Sequence, residues 1–206
     1  MNNFKNNLKV NTYEEKLNYF DSNGNKQGTV DREEGIEKCL LLEAVQIRII
    51  NPDTKEVLMQ QRSFDKENDP GMIDVSASGH VRHDETPTQA LIREGKEEVG
   101  TYAFEKLIPS IKKLMDFEID FSKVGRKGKY ITHEYIAFSN QKLENYVKQD
   151  DEVKKLFFMK YDDVKEMIIE KDKNMRIPYN DDTKKLLSLI EKEITNLERQ
   201  HTKEEI

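Results

Sequence analysis

Apolar and polar positions along this chain follow two different periods, and the switch between them sets out the elements. Residues 39–50 are rich in Leu, Val and Ile, and Glu56–Arg62 is a second apolar run beyond Asn51-Pro52-Asp53-Thr54. That pattern predicts two strands paired across a turn. Residues 15–20 and 26–30 flank Ser22-Asn23-Gly24-Asn25, a hairpin signal centred on Asn-Gly. Asp69-Pro70-Gly71 turns the chain into a short strand at 73–78. Further strands are predicted at 110–121, at Lys129–Phe138 and at 153–161, the first two separated by a basic, glycine-bearing tip at 123–128.

Helical spacing replaces alternation in three places. Asp162 or Asp163 is expected to cap a helix to about residue 170. In 183–199, Leu186, Leu187, Ile190, Ile194 and Leu197 share one face, a core stripe. The third helix is marked at both ends. Thr86-Pro87-Thr88-Gln89 has the form of a capping box with proline at the first helical position, and Gly100 stands where a left-handed residue would stop the helix. The helix is therefore placed at 87–99.

Mixed strands and helices in 206 residues fit an α/β (α+β) fold with a mixed β-sheet. The expected organisation is an N-terminal extension with the hairpin (1–37) and one domain carrying the C-terminal helices (38–206), the whole a single folding unit. Residues 1–11 and the charged tail after Gln200 are expected to be poorly ordered. A net charge of −6 argues against charge-driven nucleic-acid binding. The single cysteine, Cys39, sits in an apolar run and reads as a small buried hydrophobe. No apolar run approaches the roughly 20 residues that span a bilayer, and the start has no apolar targeting region. The expectation is a cytoplasmic protein whose partner is a small molecule rather than nucleic acid or membrane. A homodimer through the hairpin or the central strands is compatible with this pattern.

The chemistry concentrates between Gly79 and Gly100. Glu94, Glu97 and Glu98 fall on one side of the 87–99 helix, where like charges at such spacing cost a few tenths of a kcal/mol each. A divalent cation reverses that sign, since magnesium takes oxygen ligands from one or two carboxylates together with substrate phosphates. Arg93 lies four residues before Glu97 and within reach of Glu85, where it would hold the loop against the helix.

The fixed points Gly79, Glu85, Arg93, Glu94, Glu97, Glu98 and Gly100 resemble the signature box of the Nudix hydrolases. At average usage of about 5–7% per residue type, chance would produce this coincidence less than about once in a million windows. The resemblance implies an α/β/α sandwich, with the box as a loop running into a helix. It further implies that Glu94 and Glu98 bind the metal, that Glu97 binds metal or assists catalysis, and that the backbone carbonyl of Ser78 is another ligand. Arg93 would orient these groups, and Gly79, Glu85 and Gly100 would be structural. The cofactor implied is Mg2+, for which Mn2+ may substitute. Gly95 and Thr101 depart from the pattern, standing where aliphatic residues are usual. Gly95 is expected to leave a small void and to loosen the helix by up to about 1 kcal/mol.

Phe20-Asp21-x-x-Gly24-Asn25, Leu58-Met59-Gln60-Gln61-Arg62-Ser63, Asp69-Pro70-Gly71 and Ser78-Gly79-His80 extend the resemblance to the branch containing isopentenyl-diphosphate isomerases and their hydrolase relatives. The isomerases use a cysteine before the Gly-His of the box and histidines from an upstream strand. Here that position is Ser78, and the four histidines, at 80, 83, 133 and 201, all lie within or after the box. An unactivated hydroxyl is a poor carbon acid or base. The reading is a magnesium-dependent hydrolase that cleaves the diphosphate of a nucleoside diphosphate linked to another moiety. An isomerase-like enzyme and a non-catalytic regulatory module are the alternatives. Hydrolysis needs an acidic residue outside the box, for which Glu152 is the first choice and Glu134 the second. Arg62 either grips the diphosphate or forms a surface ion pair, and His80 is either structural or in contact with the ligand.

Overall fold

The computed structural model describes residues 15–148 and 151–204, so the sequence reading of residues 1–11 lies outside the described residues. The spine is β3 (Leu41–Asn51), whose alternating side chains serve two cores at once. Val45, Ile47 and Ile49 join one buried cluster, and Leu42 and Ile50 join the other. Along one edge, β8 (Lys129–Phe138) runs parallel to β3 from Leu41↔Lys129 to Ile50↔Phe138. The other edge is shared in turn by β1 (Lys16–Phe20), β6 (Ala77–His80) and β4 (Glu56–Arg62), all antiparallel. β2 (Lys26–Asp31) completes the N-terminal hairpin, β5 (Ile73–Asp74) and β9 (Val153–Lys160) pair with β4, and β7 (Lys112–Asp120) pairs with β8. Among the described residues this mixed sheet has nine strands.

Helices cover both faces, giving the α/β/α sandwich that the resemblance implies. On one face lie α2 (Pro87–Val99) and α3 (Thr101–Leu107), which bury Ala90, Leu91, Val99, Phe104 and Leu107. On the other lie α4 (Tyr161–Ile169) and α5 (Asp181–Glu204), which bury Val164, Ile168, Leu186, Leu187 and Ile190. Among the described residues no helix is long and apolar enough to cross a membrane.

Several local expectations are corrected. Two short helices, α1 (Arg32–Glu37) and α3, went unread, because six or seven residues carry too few apolar repeats to reveal a period. Cys39 is not in a strand. It has φ of 48° and donates its N–H to the Ile36 carbonyl, closing a turn that delays β3 to Leu41. Neither Asp162 nor Asp163 caps α4. The cap position is Lys160, without a side-chain bond, and both aspartates lie in the first turn, where the helix dipole favours negative charge. α5 ends at Glu204, past the end expected near residue 199.

Gly95 leaves no void. A Cβ built there would lie 2.0 Å from Cε2 of Phe104, so the fully buried ring occupies the space that the missing side chain vacates. Gly100 adopts φ 97° and ψ 135°, outside the left-handed helical region but still a conformation that favours glycine. That single residue ends α2 and starts α3, turning the chain so that Phe104 comes back onto Gly95.

Candidate active site

The box sits where β4 leaves β3 and β6 takes its place along the edge. α2 begins with the capping box read from sequence: the Thr86 hydroxyl accepts from Gln89 N–H at 3.3 Å, and Thr86 N–H donates to Gln89 Oε1 at 2.9 Å. The helix lies so close to β6 that a Cβ on Gly79 would be 1.9 Å from Cδ of Glu94. Only glycine at position 79 allows the Glu94 carboxylate to lie there.

Arg93 organises the carboxylates. Its Nε and Nη2 grip Glu85 at 2.7 and 2.8 Å, while Nη1 donates to Glu94 at 2.6 Å and reaches Glu97 at 3.4 Å. Nη2 also donates to the His80 carbonyl at 3.0 Å. Burial works against the guanidinium charge, but the carboxylates of Glu85 and Glu94 outweigh it and hold the group firmly protonated. Glu98 Oε2 accepts from Ser78 N–H at 2.7 Å and from Gln60 Nε2 at 2.9 Å.

Two of these carboxylates are held where their charge is penalised. Burial, and then the neighbouring Glu94, push Glu98 up to about 8. Burial pushes Glu94 up to about 7 despite Arg93. Glu97 is more open, its side chain 40% exposed. A buried carboxylate pair with a third at its rim has an unmet demand for positive charge, and an all-oxygen donor set suits a hard divalent cation. Among the described residues, no three or more His, Cys, Asp or Glu side chains are gathered closely enough to hold a metal ion by themselves.

The carboxylates line a cavity of about 210 Å³ together with Arg32, Arg62, Lys66, Arg82 and Arg176, among apolar and neutral polar side chains. Arg176 donates from Nε to Asp69 and from Nη1 to the buried Asp74, both at 2.9 Å. Arg62 Nη1 lies 3.7 Å from the same Asp74 oxygen, and Arg126 Nη1 lies 3.4 Å from Asp69. Burial raises the Asp74 carboxyl, but Arg176 and Arg62 overcome it and leave the group below its ordinary value. Three guanidiniums thus share two carboxylates, and Nε of Arg62 is buried without a hydrogen-bond partner. Arg32, at the start of α1, lies 3.3 Å from Glu15 and donates to Nδ1 of His80 at 3.4 Å. His80 is neutral, driven down to about 3 by burial and then by Arg32 and Arg176.

The cavity therefore brings together Arg62, Arg93, Glu94, Glu97 and Glu98, with Ser78, Gly79 and His80 from the box strand and Glu152 from the loop before β9. Glu85 and Gly100 support it from outside. Glu134 is not there. It is fully buried in an ion pair with Arg48, beside Gln46 in the strand register, and is absent from the cavity's lining, which speaks against its expected part as a base there. Arg32, Lys66, Asp74 and Arg176 escaped the sequence reading. A faint signal existed for Arg176, an arginine between two apolar residues, Met175 and Ile177, both buried in a segment without helical period.

With this geometry in hand, the comparisons with known proteins agree. The NUDIX domain family model matches residues 40–179. "Nudix hydrolase 3" of Arabidopsis thaliana is 27% identical over 147 residues, covering 66% of this chain, and the chain spans 18% of that protein's length. DR0079 from Deinococcus radiodurans superposes with a TM-score of 0.61 at 18% identity, over 84% of this chain and 98% of the other. A bifunctional NMN adenylyltransferase/ADP ribose pyrophosphatase from Francisella tularensis, in complex with AMP and a Mn ion, gives 0.52 at 19% identity, over 75% of this chain and 42% of the other. At these identities the two structures speak for the fold alone.

Proposed function

The chain belongs to the Nudix family, hydrolases that act on pyrophosphate bonds, and from that premise we propose that it is a magnesium-dependent enzyme cleaving the P–O–P bond of a nucleoside diphosphate linked to another moiety. One observation carries the reading: the box carboxylates and several guanidiniums and an ammonium line one small cavity together. A diphosphate needs both, a cation-binding wall on one side of its oxygens and guanidinium or ammonium donors on the other.

In this reading Glu94 and Glu98 hold the cation, with Glu97 and the Ser78 carbonyl completing the protein's share. When bound, the cation neutralises charge developing on the phosphates and favours ionisation of the attacking water. Arg93 keeps Glu94 and Glu97 oriented through its grip on Glu85. Arg62 and Arg176, which both line the cavity, meet the phosphate oxygens. Glu152, at the rim, removes the proton from the nucleophile, and Glu97 is the alternative. His80, neutral and accepting from Arg32, holds the cationic wall in place.

The segments around Asp21, Arg62, Asp69 and His80 support a place in the branch of isopentenyl-diphosphate isomerases and their hydrolase relatives, on the hydrolase side. Ser78 contributes its backbone N–H to Glu98, and its hydroxyl is no substitute for a thiol in carbon acid–base chemistry. The test is a mass-spectrometric survey of products from a diphosphate panel with magnesium. The panel holds ADP-ribose, nucleoside di- and triphosphates, nucleotide sugars, dinucleotides, coenzyme A and isopentenyl diphosphate, with Glu98→Gln protein in parallel. Cleavage by the wild type alone supports the hydrolase and identifies the group read by the cavity. Binding without any product would point to a regulatory module, and dimethylallyl diphosphate as product would point to the isomerase.

A further inference from the structure

Lys66 belongs to the loop between β4 and β5, and that loop is built to hold its shape. Arg62 N–H donates to the Met72 carbonyl at 2.9 Å and Gln61 Nε2 to the Gly71 carbonyl at 3.0 Å, which closes the loop at its base. Inside it, Arg62 Nη2 donates to the Asn68 carbonyl at 3.0 Å, and Asp69 is pinned by Arg176. Positive φ at Asp69 (54°) and Gly71 (72°) makes the turn. The loop thus presents Lys66 to the cavity from a stiff frame, and the Lys66 ammonium lies 3.0 Å from Oε1 of Glu152. A second tie joins the same two loops, Ser63 N–H to the Glu152 carbonyl at 2.9 Å. Both side chains line the cavity.

We infer that Lys66 is a positioning residue for Glu152 and couples phosphate binding to the orientation of that carboxylate. The inference rests on the reading of Glu152 as the base. An ammonium has three donors and no fixed fork, so it can keep one on Glu152 while offering another to a phosphate oxygen. With the cavity free of substrate, Lys66 holds Glu152 at the rim. When a diphosphate enters, its oxygens take one ammonium donor while another stays on Glu152, and the carboxylate is drawn with the ammonium towards the nucleophile. The loop that senses the substrate is therefore the loop that sets the base.

A double-mutant cycle tests this by steady-state kinetics on the substrate found in the panel. Glu152→Gln is expected to lower kcat by about a hundredfold or more, as for loss of a general base. Lys66→Met is expected to lower kcat about tenfold and to raise KM, with Lys66→Arg restoring most of kcat. In the Glu152→Gln background, Lys66→Met should raise KM alone, because residues that act through one another are non-additive. Equal kcat losses in both backgrounds, or a change in KM only, would overturn the coupling while leaving Glu152 as base. Unchanged kcat in Glu152→Gln would instead remove the base from the proposed function, and the coupling with it. A second readout needs no turnover: the side-chain carboxylate 13C resonance of Glu152, identified by its loss in Glu152→Gln, is followed as methylenediphosphonate alone is added. It should shift in the wild type and stay still in Lys66→Met; a shift of equal size in both would sink the inference.

Discussion

Two arginine-centred networks meet at the cavity, one around Arg93 and one around Arg176, and they are satisfied to different degrees. Around Arg93, four carboxylate contacts converge from Glu85, Glu94 and Glu97, yet Glu94 and the adjacent Glu98 remain pushed up to about 7 and about 8. Around Arg176, the buried Asp74 is held below its ordinary value by two guanidiniums, and the surplus is cationic. One wall is short of positive charge and the other is short of negative charge. A metal–diphosphate complex supplies both, which is why the contrast points to that ligand class more strongly than either wall does alone.

The largest expected effect breaks the acidic side. Glu98→Gln should lower turnover roughly a thousandfold, the scale of losing several kcal/mol of charge stabilisation in the transition state. Because the carboxylate it replaces is buried and penalised, the same variant should melt no lower than the wild type in chelator. A variant that loses both activity and fold would mean that Glu98 is structural.

On the cationic side the balance should reverse. Asp74→Asn leaves Arg62 and Arg176 without their common carboxylate, and breaking a buried pair in this way costs about 3–5 kcal/mol. Urea midpoints at neutral pH would show it, and a loss below about 1 kcal/mol would mean that water already screens the pair.

These two networks also differ in how far they could be read. Arg93, Glu94, Glu97 and Glu98 lie within one helix, where spacing alone fixes which side chains meet, so the acidic wall and the ends of α2 were legible residue by residue. The cationic wall is assembled from α1, the end of β4, the loop after it and the segment before α5, and Asp74 meets Arg176 across 102 positions. No local period reports such a meeting. The same reason hid the partner of Gly95: a missing side chain reads as a void until α3 folds back and Phe104 fills it. Glu134 is hidden for a related reason: its strand is buried on both faces, so alternation gives no warning that it is taken up by Arg48.

That packing gives a smaller test of whether the acidic wall needs its frame. Alanine is the better helix former by up to about 1 kcal/mol, yet Gly95→Ala should destabilise, because overpacking a filled core costs about 1–3 kcal/mol. Phe104→Leu in the same chain should recover part of the loss. Stabilisation by Gly95→Ala would show that the ring moves aside freely.

The most sensitive comparison is the pH dependence of stability in chelator, where the two walls carry opposite signs. Glu98 has an ordinary value of 4.5 and a folded value of about 8. Between those limits the folded protein keeps a proton that the unfolded chain has released, so stability falls as pH rises across that window. Asp74 has a folded value below its ordinary 3.8. Its contribution is fully present above 3.8 and is lost only as pH falls through the lower folded value. Urea midpoints measured across the whole range should therefore decline at both ends. Glu98→Gln should reduce the alkaline decline and leave the acid one, and Asp74→Asn should do the reverse. Glu94 and Glu134, both pushed up to about 7 by burial, supply the remainder of the alkaline decline. Magnesium should flatten the alkaline decline in the wild type and do little in Glu98→Gln, since the cation takes the place of the proton on that carboxylate. If the alkaline decline is no smaller in Glu98→Gln than in the wild type, and magnesium leaves it unchanged, the penalised charge lies elsewhere and the asymmetry between the two walls fails.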